Sequence, residues 1–146
     1  MTLRDILHNK GHQVHSIESS ATLEDVVQKL VRHNCGSLVV YDVHSPSSGR
    51  MAGIVTERDI LRACAQRSGS LGDISVGEAM TTNVVIGAPA DSVEHTMGLM
   101  TEMRIRHLPV IEDGQLLGLV SIGDVVKWQH DHLTMENHYL KSYLQG

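Results

Sequence analysis

Gly53-Ile54-Val55-Thr56-Glu57-Arg58-Asp59 recurs 65 residues later as Gly118-Leu119-Val120-Ser121-Ile122-Gly123-Asp124. Both stretches read Gly-x-x-Thr/Ser-x-x-Asp: an apolar segment that suits a strand, then a hydroxyl residue placed to start a helix. The spacing permits a particular chemistry. A glycine without a side chain lets a flat ring or sugar lie against the strand, the carboxylate can accept from both hydroxyls of a ribose, and the hydroxyl residue between them can meet a phosphate. Helix starts at Thr56 and Ser121 would also turn free amide N–H groups and the positive helix end towards an anion. A structural alternative stands beside this one, because Thr or Ser followed three residues later by an acid is also a capping box. A cap alone gives no reason for a glycine three residues ahead of it, and both copies keep the glycine.

Working outward, a shift of 70 places residues 21–42 on residues 91–112 without a gap, pairing Glu24 with Glu94, Leu38 with Leu108 and Val40 with Val110. Beyond that the shift falls to 65, pairing Gly49 with Gly114, Gly53 with Gly118 and Asp59 with Asp124. The difference is one insertion, and it falls in the Ser/Pro/Gly-rich stretch 41–49, which reads as a hairpin loop where extra length costs little. In the first copy Leu23, Val26, Val27, Leu30 and Val31 have the spacing of an amphipathic helix capped by Thr22. Residues 38–41 and 51–55 then read as two strands. The second copy repeats the plan with Val93, Thr96, Met97 and Met100 on its helix and strands at 108–111 and 116–120. Asp113-Gly114 between those strands is a strong hairpin signal. Short leading strands are predicted at 14–17 and 84–86, and closing helices from Arg58 to Gln66 and from Gly123 onward. The fold class is therefore α+β (α/β): two pseudo-symmetric β-α-β-β-α repeats packed sheet to sheet, divided as 1–70 and 71–130, with a helical tail at 131–146. A unit of roughly 50–60 residues buries too little apolar area to be comfortable alone, and packing on its twin would leave two related clefts.

Composition narrows the function. A net charge of −5 over 146 residues leaves no broad basic surface for a nucleic-acid backbone or anionic lipid, so no nucleic-acid or membrane partner is expected. Phe is absent and aromatic residues make up only 3%, which removes the stacking platforms that hold single-stranded nucleic acid. Two cysteines, Cys35 and Cys64, show neither disulfide-framework nor zinc spacing, which points to a reduced, cytoplasmic setting. Residues 1–10 lack a signal pattern and no apolar run approaches the roughly 20 residues that span a bilayer.

The repeat, its two motifs and Arg104-Ile-Arg-His-Leu-Pro-Val110 together resemble a tandem pair of cystathionine-β-synthase (CBS) domains, a Bateman module, over residues 3 to 130. The resemblance implies a stand-alone sensor, not an enzyme, that binds an adenosine-containing ligand in the inter-repeat clefts: AMP foremost, with ADP, ATP, NAD or S-adenosylmethionine as alternatives. Such a module reports energy or redox state to a protein target that the sequence does not name, and paired modules of this kind commonly form homodimers. Carried onto matching positions, Asp59 and Asp124 would hold ribose hydroxyls, while Thr56 and Ser121 would contact ribose or phosphate. Val14, Ser16, Ile17 and Val85, with Gly36, Ser37, Leu38 and Arg106, His107, Leu108 and Pro109, would frame the base. The copies differ in cations. Arg58 is matched by Gly123, and Arg106 and His107 by Gly36 and Ser37, so one cleft is expected to bind more tightly than the other.

Ten histidines raise a metal question. His130, His132 and His138, and His12 with His15, lack convincing ligand spacing, and residues i and i+2 of a helix do not share a face. Neither a metal nor a catalytic residue is assigned. Met80, Met97, Met100 and Met103 read as core or interface filler. Two rival functions remain: a scaffold that keeps the fold without ligand, and a small metal-assisted hydrolase, against which no P-loop, Rossmann or nucleophile pattern is found. Leu133, Leu140 and Leu144, with Trp128, Tyr139 and Tyr143, make the tail an apolar helix suited either to a partner or to its own module.

Overall fold

The computed structural model describes residues 1–44, 50–66 and 69–145; positions 45–49, where the insertion was expected, lie outside the described residues. The chain forms two bodies, each assembled from separated stretches: Gln13–Val85 with Asp113–Leu116, and Met1–His12 with Ile86–Glu112 and Leu117–Gly146.

In the first body, β1 (Ser16–Glu18) runs parallel to β2 (Ser37–Tyr41), which pairs antiparallel with β3 (Met51–Thr56) in the order β1-β2-β3. Between β1 and β2 lies α2 (Leu23–His33), whose N-cap Thr22 accepts from the Asp25 amide while Asp25 accepts from the Thr22 amide at 3.0 Å. Asn34 closes it in the left-handed region at φ 49°, a conformation asparagine tolerates. Leu23, Val26 and Leu30 sink from one face of α2 onto Leu38, Val40 and Val55 of the sheet. Each such side chain contributes about 1.5–3 kcal/mol when fully buried. α3 (Glu57–Gln66) follows β3 directly. A 3₁₀ turn at Leu71–Asp73 and the short α4 (Val76–Ala79) then return to this body, with Val76 donating to the Ala21 carbonyl at 2.8 Å and Leu23 donating to Ile74 at 3.0 Å.

The second body repeats the plan around α5 (Val93–Met103), β4 (His107–Glu112), β5 (Gln115–Ser121), which it holds from Leu117 on, and α6 (Ile122–Gln145). Asp113 and Gly114 turn the β4–β5 hairpin at φ 52° and 77°, the double positive φ that an Asp-Gly turn supplies. Its remaining element is α1 (Leu3–Lys10), which enters as α4 enters the first body: Val93 donates to the Met1 carbonyl at 3.1 Å and Leu3 donates to Asp91 at 3.0 Å. Leu3, Leu7, Val93, Met100, Leu108, Val110, Val120 and Val125 form the core.

Two sequence expectations need correction. The first leading strand is Ser16–Glu18 and not 14–17, and the expected strand at 84–86 does not form; the second repeat keeps only a parallel bridge between Gly87 and Val110. Proline explains the loss. Val39 donates its amide to the His15 carbonyl at 3.1 Å, whereas Pro109, at the equivalent position, has no N–H to extend the ladder. Of the methionines, Met100 is buried and Met80 packs on the first core, but Met103 is exposed.

Candidate functional site

The sequence motif is in each case a strand-to-helix corner. In the first body β3 ends at Thr56, which sits in register with Ser37 at the start of β2, and the Glu57 amide donates to the Gly36 carbonyl at 3.2 Å. Gly36, Ser37 and Leu38 are thereby gathered beside Thr56, and the parallel pairing of Ser16 with Val39 and Ile17 with Val40 brings β1 alongside. Val14 lies just before that strand, half-buried. Val85 ends the first body with no regular structure of its own. In the second body the Ile122 amide donates to the Arg106 carbonyl at 2.8 Å, so Arg106, His107, Leu108 and Pro109 are brought to Ser121 in the same way. Leu108 and Pro109 are buried while Arg106 is exposed.

The two aspartates occupy equivalent corners but differ in state. Asp59 is only 4% exposed. One carboxylate oxygen accepts from the Thr56 amide at 2.9 Å and the Thr56 hydroxyl at 3.2 Å; the other accepts from the Thr81 hydroxyl at 3.0 Å and from Arg62 at 3.5 Å. Both of its oxygens are occupied within the fold.

Asp124 keeps a side-chain exposure of 23%. Its Oδ2 alone is engaged, by the Ser121 amide at 2.8 Å and the Lys10 ammonium at 2.6 Å, while Oδ1 has no partner among the described residues. Lys10 is itself fixed by the Leu119 carbonyl at 2.8 Å. Burial pushes the Asp124 carboxyl up, but the Lys10 ammonium and the Ser121 amide outweigh it, so its pKa lies below the ordinary value. Asp124 donates its own amide to the Ser121 hydroxyl at 3.1 Å. The neighbouring Gly123 amide meets no acceptor among the described residues, leaving one donor and one acceptor side by side.

The glycines of the motif have a packing reason that the sequence did not suggest. A Cβ on Gly53 would stand 2.6 Å from the Thr81 carbonyl oxygen and 2.9 Å from the Met80 sulfur; one on Gly118 would stand 2.7 Å from a Leu7 methyl. Each glycine admits the segment that enters its body, α4 and its continuation in one case and α1 in the other. The helix starts are also less free than expected, since the amides of Thr56, Glu57 and Asp59 in one corner and of Ser121, Ile122 and Asp124 in the other are all engaged. Thr81 and Lys10 were missed by sequence reasoning. The only signal was the Thr2-x-x-Asp5 and Ser75-x-x-Glu78 capping boxes that open α1 and α4.

Away from these corners, a groove of about 600 Å³ runs along the open edge of β1 beside α2, lined among others by Ser16, Ile17, Lys29 and Tyr41. His15 stacks on His33 at 3.9 Å. His33 is exposed, and partial desolvation, then the positive charges of His15, Lys29 and Arg32, lowers its pKa. Among the described residues no group of three or more His, Cys, Asp or Glu is placed to hold a metal ion, and no helix is long and apolar enough to cross a membrane.

The family model described as the CBS domain matches residues 3–66 and 76–131. A curated relative, CBS domain-containing protein CBSX3, mitochondrial, of Arabidopsis thaliana, is 38% identical over 99% of this chain and 72% of its own length. The crystal structure of a CBS-domain containing protein from Agrobacterium tumefaciens superposes with a TM-score of 0.82 at 36% identity, covering 88% of this chain and 99% of that one. The CBS domain pair of protein MJ0100, solved in complex with 5-methylthioadenosine and S-adenosyl-L-methionine, gives a TM-score of 0.75 at 26% identity over 90% and 98% of the two chains.

Proposed function

This chain belongs to the CBS-domain family as a tandem pair of repeats, and from that membership we propose that it is a regulatory module binding an adenosine-containing ligand at the Ser121–Asp124 corner in preference to the Thr56–Asp59 corner. Its task is binding, not turnover: a nucleotide such as AMP, ADP, ATP or NAD, or S-adenosylmethionine, shifts a homodimer between states that a protein target distinguishes. The shift requires unequal affinity for the two states. The unpaired thiols Cys35 and Cys64 suit a reducing compartment such as the cytoplasm.

The observation that carries the preference is the unequal engagement of the two carboxylates. A ribose diol donates two hydrogen bonds, and Asp124 has an accessible oxygen for them with the Gly123 amide beside it. Asp59 is buried and would first have to release the Thr81 hydroxyl, and breaking a bond inside a buried network costs about 1–3 kcal/mol. Arg106 and His107, unique to the second repeat, add cationic or donor groups for a phosphate.

Calorimetric titration with AMP, ADP, ATP, NAD and S-adenosylmethionine in turn, on the wild type and on Asp59→Ala and Asp124→Ala, tests this. Asp124→Ala should abolish the tighter binding event and lower the apo melting temperature by about 2–4 °C, from about 1 kcal/mol of lost Lys10 pairing and helix cap. Asp59→Ala should instead lower the apo melting temperature by roughly 4–8 °C, from about 2 kcal/mol of lost cap and stranded Thr81 hydroxyl. Two equal sites, or a tighter event that survives Asp124→Ala, would exclude the proposal. Silence towards all five ligands would favour a scaffold without ligand.

A further inference from the structure

The family match ends at residue 131, but α6 continues to Gln145, and every residue from 130 to 145 is exposed. Most helical stability in proteins comes from packing of an apolar face, so a segment that forms a helix with none of its face packed is suited to being covered. Its pattern identifies the cover. Val126, His130, Leu133, Asn137, Leu140 and Leu144 recur at alternating steps of four and three, which makes Val126, Leu133 and Leu140 the d positions and His130, Asn137 and Leu144 the a positions of three heptads. Leucine fills two of the three d positions, and among the a residues His130, Asn137 and Leu144 the asparagine is of the kind that fixes register and strand number at a cost in stability.

From this geometry we infer that residues 126–144 pair with the same helix of a second copy as a parallel, in-register two-stranded coiled coil. Charge selects the direction. Glu136 falls at g and Lys141 at the following e, so parallel helices place each glutamate beside the partner's lysine, twice per dimer. Antiparallel helices would set Lys127 against Lys141. Area is adequate as well. Val126, Leu133, Leu140, Tyr143 and Leu144 are between 48% and 81% exposed. At on the order of 100–150 Å² each they offer about 600 Å² per chain, near the roughly 800 Å² that a partner contributes to a standard interface. Trp128 and His132, stacked at 5.1 Å, lie at the outer f and c positions, from which the His132 Nε2 reaches the Glu136 carboxylate on the flank of the seam at 3.4 Å.

This inference deepens the homodimer of the proposed function, and the tests separate the two. Sedimentation of the full chain should give a dimer, and Leu133→Glu with Leu140→Glu should weaken association roughly a hundredfold while the thermal melt of the two bodies is retained. In a Cys35→Ser, Cys64→Ser background, Leu144→Cys should oxidise to a disulfide-linked dimer, because a-position Cα atoms of a parallel pair lie within disulfide reach. Glu136→Lys should weaken the dimer several-fold and the added Lys141→Glu should restore it, a rescue unavailable within one helix because residues five apart do not face each other. A dimer indifferent to the leucine changes, with no Leu144→Cys crosslink, would overturn the coiled coil yet leave the homodimer standing. Crosslinking only when Val126→Cys is mixed with Leu144→Cys would show an antiparallel pair and likewise overturn it. A wild-type monomer would remove both.

Discussion

At Gly53 an added methyl would meet a backbone carbonyl, that of Thr81 at 2.6 Å, whereas at Gly118 it would meet the tip of the Leu7 side chain at 2.7 Å. A leucine tip can rotate away, but a carbonyl that pairs with the Ile54 amide at 3.0 Å cannot move without breaking that bond. Gly53→Ala should therefore cost about 2–3 kcal/mol and Gly118→Ala about 1 kcal/mol, read as denaturant midpoints at constant m-value. Equal costs would show that the segment around Thr81 gives way. Neither effect was legible in the sequence, where the recurrence of glycine was visible but its neighbour was not. The partners of Gly53 and Gly118 come from residues 80–81 and 7, which lie outside the motif and share no pattern with it. The aspartates were legible as a pair and illegible as individuals, since only the fold reveals that Thr81 and Arg62 complete one and Lys10 half-completes the other.

Lys10 ties α1 to the first turn of α6 through Asp124, so the last residue of one helix helps set the ionisation of a residue on another. Because the folded carboxyl is held below its ordinary value, the pair contributes stability that is present above the usual carboxylate range and is lost as the pH falls through the folded value. Lys10→Met should cost about 1 kcal/mol at neutral pH. That difference should vanish in acid, where Asp124 is protonated in both proteins, so the variant's acid unfolding should begin at higher pH. The Asp124 carboxyl resonance should move to a higher titration midpoint; an unchanged midpoint would show that Lys10 is a bystander. The main helices and hairpins were readable because their apolar spacing and caps agree: Thr22 at α2 and Asp113-Gly114 at the β4–β5 turn each perform the predicted task. The strand expected at 84–86 was misread because periodicity does not register an amide that Pro109 lacks. α1 and α4 went unread because eight and four residues carry too little periodicity to stand out.

The division of the whole molecule does not follow the division of its sequence. Each repeat is completed by a segment that lies outside its own stretch of pattern, α1 for the second and the 71–79 segment for the first. A fragment spanning residues 76–146 should consequently lack a cooperative melt, having lost Leu3 and Leu7 from its core, and a peptide of residues 1–12 added in trans should restore it. Cooperative unfolding of that fragment alone would mean that α1 is dispensable. The duplication was plain at shifts of 70 and 65, but a shift detects likeness and not ownership, so it could not tell which half keeps the opening helix. Splicing experiments inherit this arrangement. A cassette lifted out between the two repeats would carry away one body's keystone and bring along the other's, whereas a circular permutant opened after His12, its old ends joined by a linker, would gather nearly all of each body into one uninterrupted length of chain.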